Sequence, residues 1–384
     1  MSSPSTILIV GQASQKTGLA RITRAIAGSL SAYYDVHVLG IDCFDDCPVD
    51  AHFTLHGNPL SYDRFAELQL TVLMDELRPD AVLLYHDFWI IERYHERIAR
   101  ANHRCPVIGY CPIDGPIADT AHLASLAPLD ELVVFTEFAR GIIRKCDPNR
   151  SVRVIPHGID TSEFYPARKS HDGFIVLNAN RNQPRKRLDL TLQGFAQFAA
   201  GKPANVRLYL HCGLNDIGVD IMSEARTLGI ADRLMFTHDR DEHPDSTTQS
   251  LNEIYSACDV GVNTAIGEGW GLIACEHAAT GAAQIVPRHS ACAEIWDGVA
   301  DFLEPVNDYR DPYYEGGIID SADLAQCLER LYSDPQYRQE RAQAAYERIT
   351  SPSYRWDRIA EQWRALFEEL MTRQGANHEL SICQ

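Results

Sequence analysis

The sequence predicts an α/β protein made of two doubly wound halves. Three observations carry this. Short apolar runs alternate with amphipathic stretches along most of the 384 residues. The alternation restarts after a polar segment near residue 160. In the second half, a strand-like run passes through a glycine-rich turn into a helix-like one. Apolar runs bounded by turn signals read as buried parallel strands, and strand–helix alternation calls for a sheet covered on both faces.

The first half opens with TILIVG, Thr6 to Gly11, as a strand. GLARITRAIAGSL follows, with Leu19, Ile22, Ala25, Ile26 and Leu30 at helical spacing. YDVHVLGID is the next strand, and FAELQLTVLMDELRPD a helix ended by Pro79. AVLLYHD, CPVIGYCPIDG, ELVVFTEF and SVRVIPHGID supply further strands, the third running into a helix. TSEFYPARKSHDG is polar, holds Pro and Gly, and reads as the linker. The second half repeats the scheme: GFIVLNANR, VRLYLHCG, RLMFTHD, VGVNTA and AAQIVPRHS as strands, with helices between them. Thr or Ser near the start of TTQSLNEIYSACD suits an N-cap. The tail turns helical, and Trp356, Trp363 and Phe367 on its long last helix need a partner surface. QGANHELSICQ, at 374–384, shows no periodicity and reads as loose.

Composition narrows the function. Asp and Glu number 53 against 35 Lys and Arg, a formal charge of −18, which disfavours nucleic acid and anionic lipid as partners. MSSPSTILIVG lacks a basic n-region, and no apolar run reaches the ~18 residues a membrane span needs. The expectation is a cytoplasmic protein with no integral membrane segment. Its 11 cysteines lack paired metal-site spacing and read as reduced.

The richest segment is GEGWGLIACEHAATG, Gly267 to Gly281. Gly267, Gly269 and Gly271 alternate with Ile266, Glu268 and Trp270 before a helix begins near Leu272. A glycine turn feeding a helix N-terminus is an anion site, because free N–H groups and the positive dipole end face the turn. Glu268 precedes the helix and Glu276 lies one turn inside it. A carboxylate accepts two hydrogen bonds, which suits a pair of sugar hydroxyls. Two acids flanking an anion site suggest a sugar on each side of a phosphate, as in a nucleotide sugar. The plainer alternative is a helix start with acids placed for its dipole. The second constellation is NANRNQPRKRLDL, where Arg181 and Lys186 follow the first strand of the second half. Together they suit a diphosphate. Arg185 and Arg187 are neighbours that could take either place, and a solvated basic loop is the plain alternative.

These residues resemble the retaining glycosyltransferases of family 4, which have the GT-B fold. EGWGLIACE resembles the family's E-x7-E motif, VIPHGIDTSEFYP its hinge, and the Arg181–Lys186 interval its Gly-Arg-x4-Lys loop, with Asn180 where Gly is usual. The resemblance implies two Rossmann-like domains facing a central cleft. An acceptor-side domain would span 1–160, completed by a C-terminal helix at 352–373 that crosses back to it, and a donor-side domain 161–351. It further implies a metal-independent hexosyltransferase whose donor is a nucleotide diphosphate sugar, GDP-mannose or UDP-glucose in type, with a soluble hydroxyl acceptor. Glu268 would bind the transferred sugar. The backbone of Gly269, Trp270, Gly271 and Leu272 would face sugar and diphosphate. Glu276 would hold the ribose, Arg181 and Lys186 the diphosphate, and the base would lie near His238, Asp239 and Arg240.

The first half departs from the family pattern. Gly18 alone would sit at the helix start and near the phosphate, beside Lys16, which either adds a charge or is merely solvated. Asp114, where a functional His is common, is the candidate to touch donor sugar or acceptor, with a turn role as the alternative; closure would bring it toward Glu268. His86 and Asp87 are either acceptor contacts or plain loop. His122, His157 and His277 default to structural roles, and Asp45 and Asp46 to an acidic loop. An epimerase of similar fold and a non-enzymatic nucleotide-sugar binder remain the rival readings, and the sequence leaves the oligomeric state open.

Overall fold

A parallel sheet forms wherever the sequence alternates apolar strand and amphipathic helix, and this chain does so twice. The computed structural model describes residues 4–15, 17–44, 52–60, 62–168 and 171–382, with side chains through 374. Lys16, Asp45 and Asp46 lie outside the described residues.

The chain divides into two units. The first comprises Met1–Ile113, Asp119–Gly158 and Arg355–Gln384. Its strands are β1 (Thr6–Gln12), β2 (Asp35–Ile41), β3 (Thr54–His56), β4 (Ala81–Tyr85), β5 (Val107–Tyr110), β6 (Glu131–Val134) and β7 (Val152–Val154). They pair in the order β3-β2-β1-β4-β5-β6-β7. Every pairing is parallel, with Ile9 opposite Val38 on one side and Leu83 on the other. Helices α1 (Gly18–Leu30), α2 (Glu67–Leu77), α3 (Phe88–Arg100) and α4 (Glu137–Cys146) connect them. Thr17 caps α1 by accepting from the Ala20 N–H at 3.1 Å. Strands β1 and β4 are buried along nearly their whole length, as parallel strands covered on both faces must be.

The final helix, Trp356–Ile382, belongs to this first unit. Trp363 is 1% exposed and meets the Tyr110 ring edge-on at 4.9 Å. Phe367 does the same to Tyr34 at 5.9 Å, and Arg153 pairs with Glu369 at 2.6 Å. The aromatic stripe read from the sequence therefore has its partner surface. The helix runs past residue 373 to Ile382, within the stretch expected to be loose. That stretch contains no proline and several good helix formers, so propensity suffices to extend a helix already anchored.

The second unit comprises Asp114–Ala118 and Ile159–Tyr354. Its sheet uses β8 (Phe174–Asn178), β9 (Val206–Leu210), β10 (Leu234–Phe236), β11 (Val260–Val262), β12 (Ala283–Pro287) and β13 (Asp301–Leu303), in the order β10-β9-β8-β11-β12-β13. Helices α5 (Leu188–Ala199), α6 (Ile221–Thr227), α7 (Thr248–Ser256), α8 (Leu272–Ala279), α9 (Ser290–Ile295), α10 (Ser321–Ser333) and α11 (Pro335–Ile349) accompany it. Thr247 caps α7, accepting from the Ser250 N–H at 3.2 Å. An antiparallel hairpin, β14 (Pro305–Arg310) and β15 (Glu315–Ile319), had no counterpart in the sequence reading. Its only turn signal, Asp311-Pro312, sits inside a tyrosine-rich run without clean alternation. Segment Asp114–Ala118 lies along this hairpin: Glu315 N–H donates to the Pro116 carbonyl at 2.7 Å, and Ala118 N–H to that of Tyr313 at 3.1 Å. Cys43 is disulfide-bonded, against the expectation of reduced cysteines, while eight others among the described residues are free thiols.

Trp363→Ala should cost about 3–5 kcal/mol, the usual loss for deleting a buried large aromatic. Urea unfolding followed by far-UV circular dichroism checks this; an unchanged midpoint would mean that the final helix does not support the first unit.

Candidate active site in the second unit

Strands β8 and β11 are neighbours although β9, β10 and three helices separate them in sequence. The sheet order reverses there, and the loops beyond the carboxyl ends of such strands part to leave a crevice. The loop after β8 carries Arg181, Arg185 and Lys186; the loop after β11 carries Asn263 and Gly267–Gly271. Neighbouring strands thus bring the two sequence constellations together.

Their meeting point is an ion pair. Lys186 Nζ lies 2.5 Å from Glu268 Oε1, with side chains 10% and 7% exposed. Asn263 Nδ2 donates to the same oxygen at 3.0 Å. Burial alone would raise the Glu268 carboxyl, but the charges of Lys186 and Arg185 and the hydrogen bonds from Lys186 and Asn263 outweigh it and hold the group below its ordinary 4.5. Burial, with Arg185 alongside, lowers Lys186, and Glu268 opposes that shift. The main chain of Glu268 is gripped as well: its N–H donates to Ser290 Oγ at 3.1 Å, and its carbonyl accepts from Ala291 N–H at 3.2 Å.

The glycine turn has the form an anion site needs. Gly271 has φ +87° immediately before α8, a conformation side chains resist. At Gly267 a Cβ would come within 2.5 Å of the Asp114 carbonyl oxygen, so only glycine fits. Gly269 and Trp270 are buried and Leu272 half-buried; Trp270 packs edge-on to Tyr354 at 5.7 Å. Glu276 is 2% exposed, and Tyr255 donates to its Oε2 at 3.4 Å.

The other expected residues divide. Asp114 stands in the second unit, 3.5 Å from Arg185 Nη1. It therefore needs no domain closure to join this cluster. Arg185 also donates to the Gly267 carbonyl at 3.2 Å. Arg181 is turned to Asp216 in a two-point pair at 2.6 and 3.2 Å, half exposed. Spacing favoured Arg181 over Arg185, but the structure sets Arg185 beside Glu268 and Lys186. Arg187 is held by Asp189. His238, Asp239 and Arg240 follow β10, where His211 Nδ1 lies 2.6 Å from Thr237 Oγ1. Gly18 begins α1 in the first unit, and His86 and Asp87 lie there at the end of β4. His157 is buried against Tyr110, 2.8 Å from its hydroxyl, and burial pushes its pKa down to about 3. Asn263, Ser290 and Ala291 went unnoticed in the sequence. A polar residue ending a strand was the only available sign of the first, and the other two had none.

Residues 218–365 match the family model described as glycosyl transferase-like. A D-inositol 3-phosphate glycosyltransferase of Geodermatophilus obscurus is 30% identical over 206 residues, 48% of this chain and 44% of that protein. The chain spans about half the length of the curated relatives it matches. Sucrose-phosphate synthase from Thermosynechococcus elongatus superposes with a TM-score of 0.77 at 18% identity, over 96% of this chain and 100% of that one. The Anabaena protein HepE, solved with UDP and glucose, gives 0.69 at 14% identity over 95% and 100%. At such identity the likeness shows the fold, and the fold is GT-B. The family match lies within residues 218–365 and is to a glycosyl transferase-like model.

Among the described residues, no group of His, Cys, Asp or Glu is arranged to hold a metal ion, and no helix is long and apolar enough to cross a membrane.

Glu268→Gln should destabilise the protein by about 3 kcal/mol near neutral pH, because it leaves a buried ammonium unpaired. The sign of its pH dependence follows from the lowered carboxyl. Ionised Glu268 contributes stability above the ordinary value of 4.5, and this is lost as pH falls through its lower folded-state value. The gap between wild type and variant therefore narrows below pH 4.5. Urea unfolding from pH 3 to 7 measures it, and a gap independent of pH would refute the ionised pair.

Proposed function

We propose that the protein is a retaining, metal-independent glycosyltransferase that moves a hexose from a nucleotide diphosphate sugar to a soluble hydroxyl acceptor. The observation that carries this is the Lys186–Glu268 pair at the glycine-rich start of α8. An ammonium and a carboxylate side by side there suit the two halves of such a donor. The diphosphate takes Lys186, the helix N-terminus and an arginine; the sugar hydroxyls take Glu268. Glu276 would hold the ribose. Arg181 would have to leave Asp216 to reach the phosphates, whereas Arg185 already lies near Lys186, so Arg185 shares the role.

Donor cleavage puts charge on the departing diphosphate, where fixed cations and N–H groups stabilise it most. The acceptor attacks the face the leaving group vacates, and a phosphate oxygen takes its proton. Neither a carboxylate nucleophile nor a cofactor is needed for that path. GDP-mannose and UDP-glucose are the donors to test. The names of two relatives contain a phosphorylated polyol or sugar, which adds that acceptor class. The protein would act in the cytoplasm.

A donor screen reading nucleotide release tests the proposal. Lys186→Ala and Glu268→Ala should each lower kcat/KM by about 100-fold, the scale of losing one transition-state contact. Lys186→Ala should also weaken GDP or UDP binding, and Glu268→Ala should not. Release from no nucleotide sugar would overturn the reading; sugar-nucleotide binding without turnover would favour a binding module.

A further inference from the structure

Ser290 has φ +49°, a left-handed backbone that suits glycine and that other residues adopt at a cost. It begins α9, with two residues between it and the end of β12, and is 5% exposed. A turn alone would be better served there by Gly. The side chain explains the residue: Ser290 Oγ accepts the Glu268 N–H at 3.1 Å, and the next N–H, from Ala291, donates to the Glu268 carbonyl at 3.2 Å. Both main-chain groups of Glu268 are thus held by two consecutive residues of one turn. With His289 protonated at Nε2, the Ser290 hydroxyl, having accepted from Glu268, donates its proton to His289 Nδ1, 3.1 Å away. The imidazole lies close to the Gly317 backbone, where a Cβ would come within 3.0 Å of His289 Cδ2.

We propose that Ser290 is a positioning residue, its strained backbone kept so that Oγ, backed by His289, aims the Glu268 carboxylate. Strain at a functional site persists when the surroundings over-determine it. The inference rests on the reading of Glu268 as the group that meets the transferred sugar.

Three variants separate positioning from turn-making. Ser290→Gly relieves the backbone and removes Oγ. Ser290→Ala keeps the strain and removes Oγ. Ser290→Asn tolerates the left-handed conformation and restores a side-chain acceptor. If Ser290 positions Glu268, the glycine and alanine variants both lose about 10-fold in donor kcat/KM, or about 1.4 kcal/mol of transition-state stabilisation. They do so although Gly is the more stable of the two. Asn recovers part of the loss, and GDP and UDP affinities stay within about twofold of wild type, since the diphosphate contacts are untouched. Amide hydrogen exchange at Glu268 should rise in the Gly and Ala variants and fall back in Asn. Activity that follows stability, with Gly near wild type, overturns the inference, as does unchanged exchange at Glu268. Absence of turnover in the wild type would strike the functional reading instead, and the exchange arm would still judge the grip on Glu268.

Discussion

Much of the second unit is organised around one buried ion pair. Moving a carboxylate and an ammonium out of water costs several kcal/mol per ion, and only close mutual contact and further hydrogen bonds offset it. Lys186 and Glu268 meet that condition at 2.5 Å, with Asn263 on the shared oxygen. The constraint propagates outward. Lys186 must sit on a tight turn just after β8, Glu268 on a glycine turn just after β11, and these strands must be adjacent. The turn at Ser290 and Ala291 then fixes the Glu268 main chain. An ionised carboxylate held this way accepts hydrogen bonds without first losing a proton.

Close backbone approach is the second requirement, and it explains several glycines at once. At Gly115 a Cβ would fall 1.9 Å from the Glu315 carbonyl oxygen, and at Gly316 2.5 Å from that of Ile266. Segment Asp114–Ala118, the hairpin and the turn before Glu268 are therefore stacked backbone on backbone. This is how an aspartate drawn from a strand end of the first half of the sequence comes to lie beside Arg185.

The α/β class, the repeat of the scheme, and the pairing of a glycine turn with a basic loop were legible because each is a local pattern. Apolar period and turn chemistry are written into a few consecutive residues. What local pattern missed has a physical cause in common. Spacing is blind to Asp216, which pairs with Arg181 from 35 positions away. The hairpin lacked alternation, since its stability comes from Asp114–Ala118 and the turn beside it. The loose tail became helix because an anchored helix propagates easily through residues of good propensity.

Sequence by itself determined which side chains are present at the two loops: the acids of Gly267–Gly281, the lysine at 186 in a chain of few lysines, and the glycines that precede a helix start. Tertiary structure alone decided which of three arginines stands at that lysine, that Asn263 and Ser290 hold Glu268, and that Asp114 belongs to the second unit. Those choices depend on strand order and on contacts between residues distant in the chain. Local period carries no record of either.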